Sequence, residues 1–210
     1  MIKVLIADDH PIVRRGIREV LSETDDITVA DEAGDCAKVM HKLRENRFDV
    51  VLLDIAMPGR GGIEVLKQIK DLGVDIPVLI LSIFPEEQYA LRALRAGASG
   101  YVTKNCEAEL LVKAIRKVAE GGKWVSEAVA ERLIEDMGED AGKPLHGRLS
   151  DREYEVMMRL ASGKSVSEIA QEMALSVKTV STYRTRILQK MHMKNNAELI
   201  HYALMNKLIE

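Results

Sequence analysis

The first 120 residues of the chain alternate five short apolar runs with five stretches of helical periodicity. A short apolar run bounded by turn residues fits a strand that is covered on both faces. Strands that alternate with helices indicate parallel pairing, so we predict an α/β fold with a doubly wound, five-stranded parallel sheet. The predicted strands are Ile2–Ala7, Ile27–Ala30, Phe48–Leu53, Pro77–Ser82 and Gly100–Thr103, and the predicted helices are Pro11–Leu21, Cys36–Glu45, Ile63–Leu72, Glu86–Ala96 and Glu107–Glu120.

The chain changes character after residue 122. One helix is predicted over Ser126–Met137, and the glycine-containing, charged stretch Gly138–Leu149 has the composition of a hinge. Beyond it no strand pattern occurs, and Ser150 with Glu153 forms a capping-box pattern that opens a helix. Four helices are predicted there, over 150–162, Val166–Met173, Val177–Met191 and Asn195–Lys207.

The second and third of these four helices are joined by the three-residue turn Ala174–Ser176, which is a helix-turn-helix arrangement. We therefore predict three parts of the chain. A sheet domain spans residues 1–122, a linker helix and hinge span 123–148, and an all-α four-helix domain spans 149–210.

The composition is that of an ordinary globular chain, with 47% hydrophobic and 30% charged residues. No stretch approaches the roughly 18 apolar residues that a membrane span requires, so no membrane partner is expected. The first ten residues, MIKVLIADDH, lack the long apolar core of a signal peptide, which favours a cytoplasmic location. Cys36 and Cys106 lie far apart in the sequence and are interpreted as reduced thiols.

Charge is distributed unevenly along the chain. Residues 1–148 hold 21 Lys/Arg and 26 Asp/Glu, whereas residues 149–210 hold 9 and 7. Within the second region, Met173–Ala197 contains five basic residues and no acid. This basic block is the candidate surface for a polyanion, and a solvated helix face is the alternative interpretation.

Acidic residues stand at the ends of two predicted strands. Asp8 and Asp9 follow the first strand, and Asp54 ends the third. In a flavodoxin-like strand order, 2-1-3-4-5, the first and third strands are neighbours, so the three carboxylates should converge. Such a cluster repels itself unless one group takes up a proton or a cation binds. Carboxylate oxygens are the ligands that Mg²⁺ prefers, so we predict a magnesium site.

Two further polar residues, Ser82 and Lys104, fall at the same predicted edge of the sheet. A hydroxyl and an ammonium beside a metal-bound carboxylate suit a phosphoryl group carried by Asp54. Taken singly, each acid could instead cap a helix, and Lys104 could be a surface charge. The coincidence of five such residues at one edge favours the phosphoryl site.

These residues resemble the receiver domain of two-component response regulators, through Asp8-Asp9, Asp54 with Met57-Pro58-Gly59, Ser82 and Tyr101-Val-Thr-Lys104. The resemblance implies that a sensor histidine kinase phosphorylates Asp54. It implies that Asp9, Asp54 and the carbonyl of Ala56 hold Mg²⁺, with Asp8 acting mainly through a water. Lys104 would contact the phosphoryl group, and Ser82 and Tyr101 would move together on activation.

Two details of the receiver motif concern access to Asp54. Pro58-Gly59 is expected to shape the loop after Asp54 so that a carbonyl is free for the metal. Ile83 stands where the family often has a small residue, and its bulk is expected to affect dephosphorylation.

The basic block coincides with the second helix of the helix-turn-helix. Ser176 is a suitable N-cap, so this helix can offer its N-terminus to a phosphate. Helical spacing predicts an inward face of Val177, Val180, Ile187 and Met191, and an opposite face of Lys178, Ser181, Thr182, Thr185 and Arg186. Hydroxyls can bond base edges while Lys and Arg neutralise phosphates. A bundle used only for protein contacts is the alternative.

This region resembles the LuxR-type DNA-binding domain of NarL/FixJ-family regulators, from Leu149-Ser-Asp-Arg-Glu153 to Lys190-Met191. The resemblance, with the helix chemistry, assigns DNA contacts to Ser176, Lys178, Thr179, Ser181, Thr182, Arg184, Thr185, Arg186 and Lys190. Ser181, Tyr183 and Arg184 depart from the residues usual in the family. The last helix, with Leu199, Ala203 and Leu204, resembles the dimerisation helix of the family, and plain core packing is the alternative.

The hypothesis from the sequence is a response regulator that acts as a transcription factor. Phosphorylation would shift the receiver between two conformations and control binding to paired DNA half-sites, by releasing the DNA-binding helix or by promoting a homodimer. No enzymatic turnover is expected beyond self-phosphorylation and slow autodephosphorylation. A phosphohydrolase of the haloacid dehalogenase type would carry a second Asp where this chain has Ala56.

Overall fold

The computed structural model of the protein describes residues 1–57, 61–73, 75–138 and 144–209. The chain divides into two compact units, Met1–Arg132 and Leu133–Glu210, each of which is considered by itself. Within the described ranges, no helix combines the length and the apolar character needed to cross a bilayer.

The first unit is built around the predicted five-stranded parallel sheet, with strand order β2-β1-β3-β4-β5. The predicted fold class is confirmed. The strands are β1 (Ile2–Ala7), β2 (Ile27–Ala33), β3 (Val50–Leu53), β4 (Val78–Ser82) and β5 (Gly100–Thr103). The helices are α1 (Pro11–Ser22), α2 (Cys36–Glu45), α3 (Gly62–Asp71), α4 (Glu86–Arg95) and α5 (Ala108–Ala119).

The sheet is buried on both faces, because every residue of β3 and β4 is buried. Alternate strand residues pack with α1 and α5 in one hydrophobic cluster that includes Val4, Ile6, Leu52, Leu79, Ile17 and Ile115. Burial of each such aliphatic side chain contributes about 1.5–3 kcal/mol to folding. This packing fixes the strand ends that carry the acidic residues.

Strand β2 is longer than predicted and continues through Asp31 and Glu32. The apolar pattern ends at Ala30, but β2 is an edge strand whose polar side chains find partners on neighbouring helices. Lys42 Nζ lies 2.5 Å from Asp31 Oδ1, for example. The pairing of β2 with β1 shifts register between Val4 and Leu5, which marks a bulge close to the acidic end of β1.

The first unit continues past the predicted domain end at Gly122. Trp124 forms a parallel bridge with Gly100, in which Tyr101 N donates to Trp124 O (3.1 Å) and Trp124 N donates to Ser99 O (3.0 Å). This short extended segment covers the free edge of β5, so Trp124 belongs with the sheet rather than with a linker.

Helix α6 (Glu127–Gly138) follows, close to the predicted Ser126–Met137. In the predicted hinge, residues 139–143 lie outside the described residues. The later part of the predicted hinge contains regular structure, because Leu145–Arg148 form a short 3-10 helix. His146 Nδ1 lies 2.9 Å from the hydroxyl oxygen of Tyr202, which holds this turn against the C-terminal helix.

The second unit contains the four predicted helices, α7 (Asp151–Ala161), α8 (Val166–Glu172), α9 (Val177–Lys190) and α10 (Asn196–Met205). The predicted capping box at Ser150 is present, and Ser165 with Glu168 forms a second one. Between α8 and α9, Ala174 adopts a left-handed conformation (φ 52°), and Leu175 N donates to Ala170 O at 2.8 Å. This tight turn brings the helix-turn-helix together.

Gly62 is required where α3 meets the end of β3. A Cβ on Gly62 would lie 2.3 Å from Ile55 Cα and 2.6 Å from Asp54 O, both of them backbone atoms. We expect Gly62→Ala to lower the free energy of unfolding by about 1–3 kcal/mol in urea denaturation, because the backbone beside Asp54 has to move.

Gly16 provides the matched control, since it is also helical but a Cβ there meets nothing within 4 Å. Gly16→Ala is expected to raise the free energy of unfolding by about 0.5–1 kcal/mol through helix propensity. A Gly62→Ala variant as stable as the parent would contradict this account.

Candidate functional site

The carboxyl ends of β1 and β3 bring the predicted acids together. Asp54 N donates to Ala7 O at 2.8 Å, which ties the end of β3 to the end of β1. Ligand atoms of Asp8, Asp9, His10 and Asp54 all lie within 4.8 Å of one another. The predicted convergence of three carboxylates at this edge is therefore confirmed, and the cluster is called the acidic pocket below.

Lys104 closes the acidic pocket from the end of β5. Its Nζ lies 2.6 Å from Asp54 Oδ2 and 2.6 Å from Asp8 Oδ2, and its side chain is only 10% exposed. Its backbone N donates to Ser82 O at 2.8 Å, which places the lysine beside the end of β4. The ammonium thus offsets part of the acidic charge, so the pocket depends less on a metal than the sequence alone suggested.

Burial and hydrogen bonding set the protonation of this pair. Burial raises the pKa of the Asp54 carboxyl above its ordinary value, although Lys104 and the Ala56 N–H act against the rise. Burial alone would lower the pKa of Lys104, but its contacts with the carboxylates of Asp54 and Asp8 more than offset that effect and raise it. Lys104 therefore stays protonated, and its ammonium is the cation beside the carboxylates of Asp54 and Asp8.

The acidic pocket fits a hard divalent cation. Asp8 Oδ2 and Asp9 Oδ1 are buried oxygens that accept no hydrogen bond from the described residues. Each only approaches a nitrogen, Lys104 Nζ at 2.6 Å and His10 Nδ1 at 2.9 Å. Buried carboxylate oxygens whose hydrogen-bonding capacity is incompletely used are suited to a metal, and an oxygen-rich set is what Mg²⁺ and similar ions prefer.

His10 was not predicted from the sequence as part of this site. Its backbone N donates to Asp8 Oδ1 at 2.7 Å, and its ring stands next to both acids. Its position directly after Asp8-Asp9, in the loop that leads to α1, is the feature of the sequence that could have identified it.

Ala56 contributes its backbone N–H, which donates to Asp54 Oδ1 at 2.8 Å. The two oxygens of the Asp54 carboxyl therefore have different partners, an amide on one side and an ammonium on the other. The predicted role of the Ala56 carbonyl as a metal ligand stays a prediction. Pro58-Gly59, which were expected to shape this loop, lie outside the described residues.

Ser82 and Tyr101 both hold the backbone of Phe84. Phe84 N donates to Ser82 Oγ at 3.2 Å, and the Tyr101 hydroxyl donates to Phe84 O at 2.9 Å. Tyr101 is 2% exposed, and burial raises the pKa of its hydroxyl well above the ordinary value. The two predicted switch residues are thus linked through the backbone of one residue, Phe84, that sequence reasoning did not identify.

Ile83 lies between Ser82 and Phe84 in the chain and is 67% exposed. Its bulk is expected to affect access to Asp54. That effect itself stays a prediction.

In the second unit, the predicted faces of α9 are largely confirmed. Val180, Ile187 and Met191 are buried, while Val177 is 52% exposed and does not belong to the inward face. Val177 is the first residue of α9, and Cβ atoms point towards the helix N-terminus, so its side chain extends past the packed part of the helix. The residues predicted on the opposite face, Lys178, Ser181, Thr182, Thr185 and Arg186, are all exposed.

Several polar groups of α9 already have partners within the chain. Ser176 Oγ caps the helix by accepting from Thr179 N at 3.0 Å. The hydroxyls of Thr182 and Thr185 donate to Lys178 O and Ser181 O, one turn back along the helix. With their hydrogens used in this way, both threonines offer acceptor oxygens and methyl groups outwards, which suits base-edge donors and thymine methyls.

Arg184 and Lys190, two of the predicted DNA contacts, also bind other helices of the second unit. Arg184 Nε donates to Asn196 Oδ1 on α10 at 2.8 Å. Lys190 Nζ donates to Glu153 Oε2 on α7 at 2.6 Å, and Glu153 is 3% exposed. These contacts fix the orientation of α9. The assignment of both cations to DNA stays a prediction, and their positions favour a supporting role.

Removing Lys104 tests the ion contacts of the acidic pocket. We expect Lys104→Met to lower the free energy of unfolding by about 3–5 kcal/mol, because buried carboxylates lose their cation. Lys113→Met, at an exposed position of α5, is the control and should change it by about 0.5 kcal/mol or less.

The same denaturation experiment on Lys104→Met with Asp8→Asn should recover part of the loss, since one buried charge is then gone. Equal stabilities of Lys104→Met and Lys113→Met would rule out a buried ion contact.

Comparison with known families supports both units. Residues 4–116 match the response regulator receiver domain. Residues 147–203 match the bacterial regulatory proteins of the luxR family. The two matches follow one another in the order that the structure gives the two folds.

Two relatives align with this chain over nearly its whole length. The oxygen regulatory protein NreC of Staphylococcus carnosus (strain TM300) is 34% identical over 215 residues, which cover 99% of this chain and 99% of that protein. The response regulator UvrY of Escherichia coli (strain K12) is 34% identical over 205 residues, which cover 97% of this chain and 94% of that protein.

A solved structure agrees with these relatives. RcsB from Salmonella enterica serovar Typhimurium, bound to promoter rprA in the presence of phosphomimetic BeF3−, is 29% identical with a TM-score of 0.64, over 96% of this chain and 98% of that one. The matched domains, the full-length relatives and the fold agree, and the chain therefore belongs to the two-component response regulators of the NarL/FixJ family, in which a receiver domain is followed by a LuxR-type DNA-binding domain.

Proposed function

We propose that a sensor histidine kinase phosphorylates Asp54 in a Mg²⁺-dependent reaction, and that this modification controls sequence-specific DNA binding by residues 149–210. The observation that carries the proposal is the setting of Asp54. Asp54 is only 1% exposed. Its carboxyl is held between Lys104 Nζ and the Ala56 N–H, at the edge of the sheet where three acids converge. A carboxylate held in this way is suited to act as a nucleophile towards phosphorus.

The transfer is a displacement at phosphorus. An oxygen of Asp54 forms a bond to the phosphorus of a phosphohistidine, and the P–N bond breaks with its electron pair leaving on the imidazole nitrogen. Lys104 moves from its contact with the carboxylate to the phosphoryl oxygens, where the ammonium stabilises their charge. The N–H of Ala56 and the hydroxyl of Ser82 are further donors at this edge.

The carboxylates of Asp8, Asp9 and Asp54 would hold the magnesium ion, with the Ala56 carbonyl as a further oxygen ligand. When bound, the ion supplies charge neutralisation for the acids and for the transferred phosphoryl oxygens. The two buried oxygens of Asp8 and Asp9 that lack hydrogen bonds support this assignment.

Activation would act through the backbone of Phe84. A phosphoryl group on Asp54 attracts the Ser82 hydroxyl, which now accepts from Phe84 N, and the Tyr101 hydroxyl on Phe84 O responds to the movement of the same residue. Coupling to DNA binding is then a difference in the free energies of two receiver states, expressed by release of the DNA-binding helix or by formation of a homodimer.

The second unit would place α9 in the major groove of DNA with its exposed face towards the bases. Lys178 and Arg186 would contact phosphates, and the outward threonine oxygens would contact base edges. A homodimer would read paired half-sites, as its symmetry requires. Solved structures of the related RcsB include two dimers bound to two parallel DNAs, which supports this arrangement.

We further propose that the protein is not an enzyme with sustained turnover. Ala56 replaces the second carboxylate that a phosphohydrolase of the haloacid dehalogenase type carries, so hydrolysis of the aspartyl phosphate has no side-chain acid or base at that position. The expected cytoplasmic location, close to a kinase and to DNA, completes the proposal.

Asp54→Asn tests the phosphorylation site. Incubated with acetyl phosphate and Mg²⁺, the parent protein should gain a phosphoryl group detectable by mass spectrometry, and Asp54→Asn should not, because the amide is a poor nucleophile. EDTA should abolish uptake by the parent. Asp25→Asn, an exposed acid at the opposite end of the strands, is the matched control. Unchanged uptake by Asp54→Asn would defeat the proposal.

Salt dependence tests the DNA interface. Because each phosphate contact releases counterions, Lys178→Gln and Arg186→Gln should each weaken binding to operator DNA and reduce the slope of log K against log salt by about 1. Lys190→Gln, whose cation is paired with Glu153, should weaken binding without changing the slope. Parent binding that is absent or independent of salt would favour a regulator that contacts only proteins.

A further inference from the structure

Arg14 on α1 joins the loop of Asp8, Asp9 and His10, called the acidic loop below, to the edge strand β2 of the sheet. Its Nη1 donates to the backbone oxygen of Asp8 at 2.8 Å, and its Nε donates to Glu32 Oε2 on β2 at 3.0 Å. The Arg14 side chain is 18% exposed and that of Glu32 is 20% exposed, so this ion pair is well shielded from solvent. One guanidinium therefore bridges the loop and the sheet.

The bonded oxygen belongs to the peptide between Asp8 and Asp9. Because a peptide is planar, a hydrogen bond that holds Asp8 O also restricts the position of the Asp9 backbone N and Cα. The loop has other contacts as well. Asp8 N donates to Ala33 O at 3.0 Å, His10 N donates to Asp8 Oδ1 at 2.7 Å, and Lys104 Nζ lies 2.6 Å from Asp8 Oδ2. Among these contacts, Arg14 supplies the one that holds the carbonyl of the Asp8–Asp9 peptide.

Glu32 is held in place by more than Arg14. Arg18, one turn further along α1, donates its Nε to Glu32 Oε1 at 2.8 Å. Arg14 and Arg18 thus share the same carboxylate, but among the described residues Arg14 alone of the two reaches the acidic loop. The two arginines form a natural comparison, with similar charge and location and different contacts.

We propose that Arg14 is a positioning residue for the metal-binding acids, and that its bridge from Glu32 to the Asp8 carbonyl holds Asp8 and Asp9 in the arrangement that binds the divalent cation. The metal part of this inference rests on the proposed function. Arg14 touches neither a carboxylate oxygen of the acidic pocket nor the phosphoryl acceptor in any described contact, so it acts through the loop.

Charge alone predicts the opposite effect from positioning. A guanidinium close to the acidic pocket repels a divalent cation. If charge were the only effect, removal of the guanidinium should therefore strengthen metal binding. Loss of positioning should weaken binding, as removal of an outer partner of metal ligands typically does by 10–100-fold. The direction of the change therefore separates the two explanations.

The experiment compares Arg14→Gln with Arg18→Gln in the full chain without any phosphodonor. Mg²⁺ titration followed by amide NMR shifts should give a Kd about tenfold higher for Arg14→Gln than for the parent. Arg18→Gln, which loses a charge near the same glutamate but leaves the bridge, should bind Mg²⁺ within about twofold of the parent. Equal or tighter binding by Arg14→Gln would overturn the proposal.

Hydrogen exchange of the His10 amide provides a readout that needs no metal. Loosening the loop should make this amide exchange faster in Arg14→Gln, while Arg18→Gln should match the parent. An unchanged rate in Arg14→Gln would also overturn the proposal. If Arg14→Gln does not fold, Arg14→Lys, which keeps the charge without the guanidinium fork, replaces it with the same expected directions. A parent that binds no Mg²⁺ would defeat the proposed function, and the exchange rates would still decide the role of Arg14.

Discussion

The contact of one buried ammonium with two buried carboxylates organises the receiver unit. Lys104 Nζ lies 2.6 Å from both Asp54 and Asp8, which come from β3 and from the end of β1. Such charges are tolerated in a buried place only when their partners are held in good geometry, so the strands that carry them must be in register. The strand order, the β1–β3 pairing and the Gly62 turn all serve this condition.

Several backbone groups near this contact are held in place by polar side chains. The Ala56 N–H, the N–H and carbonyl of Phe84, and the Asp8 carbonyl are each held by a polar partner, namely Asp54, the Ser82–Tyr101 pair and Arg14. Backbone groups that are held in this way have few alternative positions, so a new charge on Asp54 can favour a second, discrete arrangement. This is the property that a two-state switch requires.

The second unit divides its polar residues between support and recognition. Lys190 and Arg184 join α9 to α7 and α10, whereas Lys178 and Arg186 remain exposed on the opposite side. The pairs that Lys190 and Arg184 form are partly buried and have specific geometry. Exposed cations such as Lys178 and Arg186 are suited to the phosphate backbone of DNA. A basic helix can therefore have fewer groove contacts than its count of cations suggests.

The sequence by itself determined the parallel sheet, the four C-terminal helices and the three acids of the acidic pocket. These follow from local periodicity, from caps such as Ser150 and from the rule that parallel strands end at one edge. Only the tertiary structure decided how Asp31 and Glu32 continue an edge strand, how Trp124 covers β5, and that Lys190 and Arg14 pair with Glu153 and Glu32. Each of these depends on a partner that is distant in the sequence, and the local pattern of residues does not specify that partner.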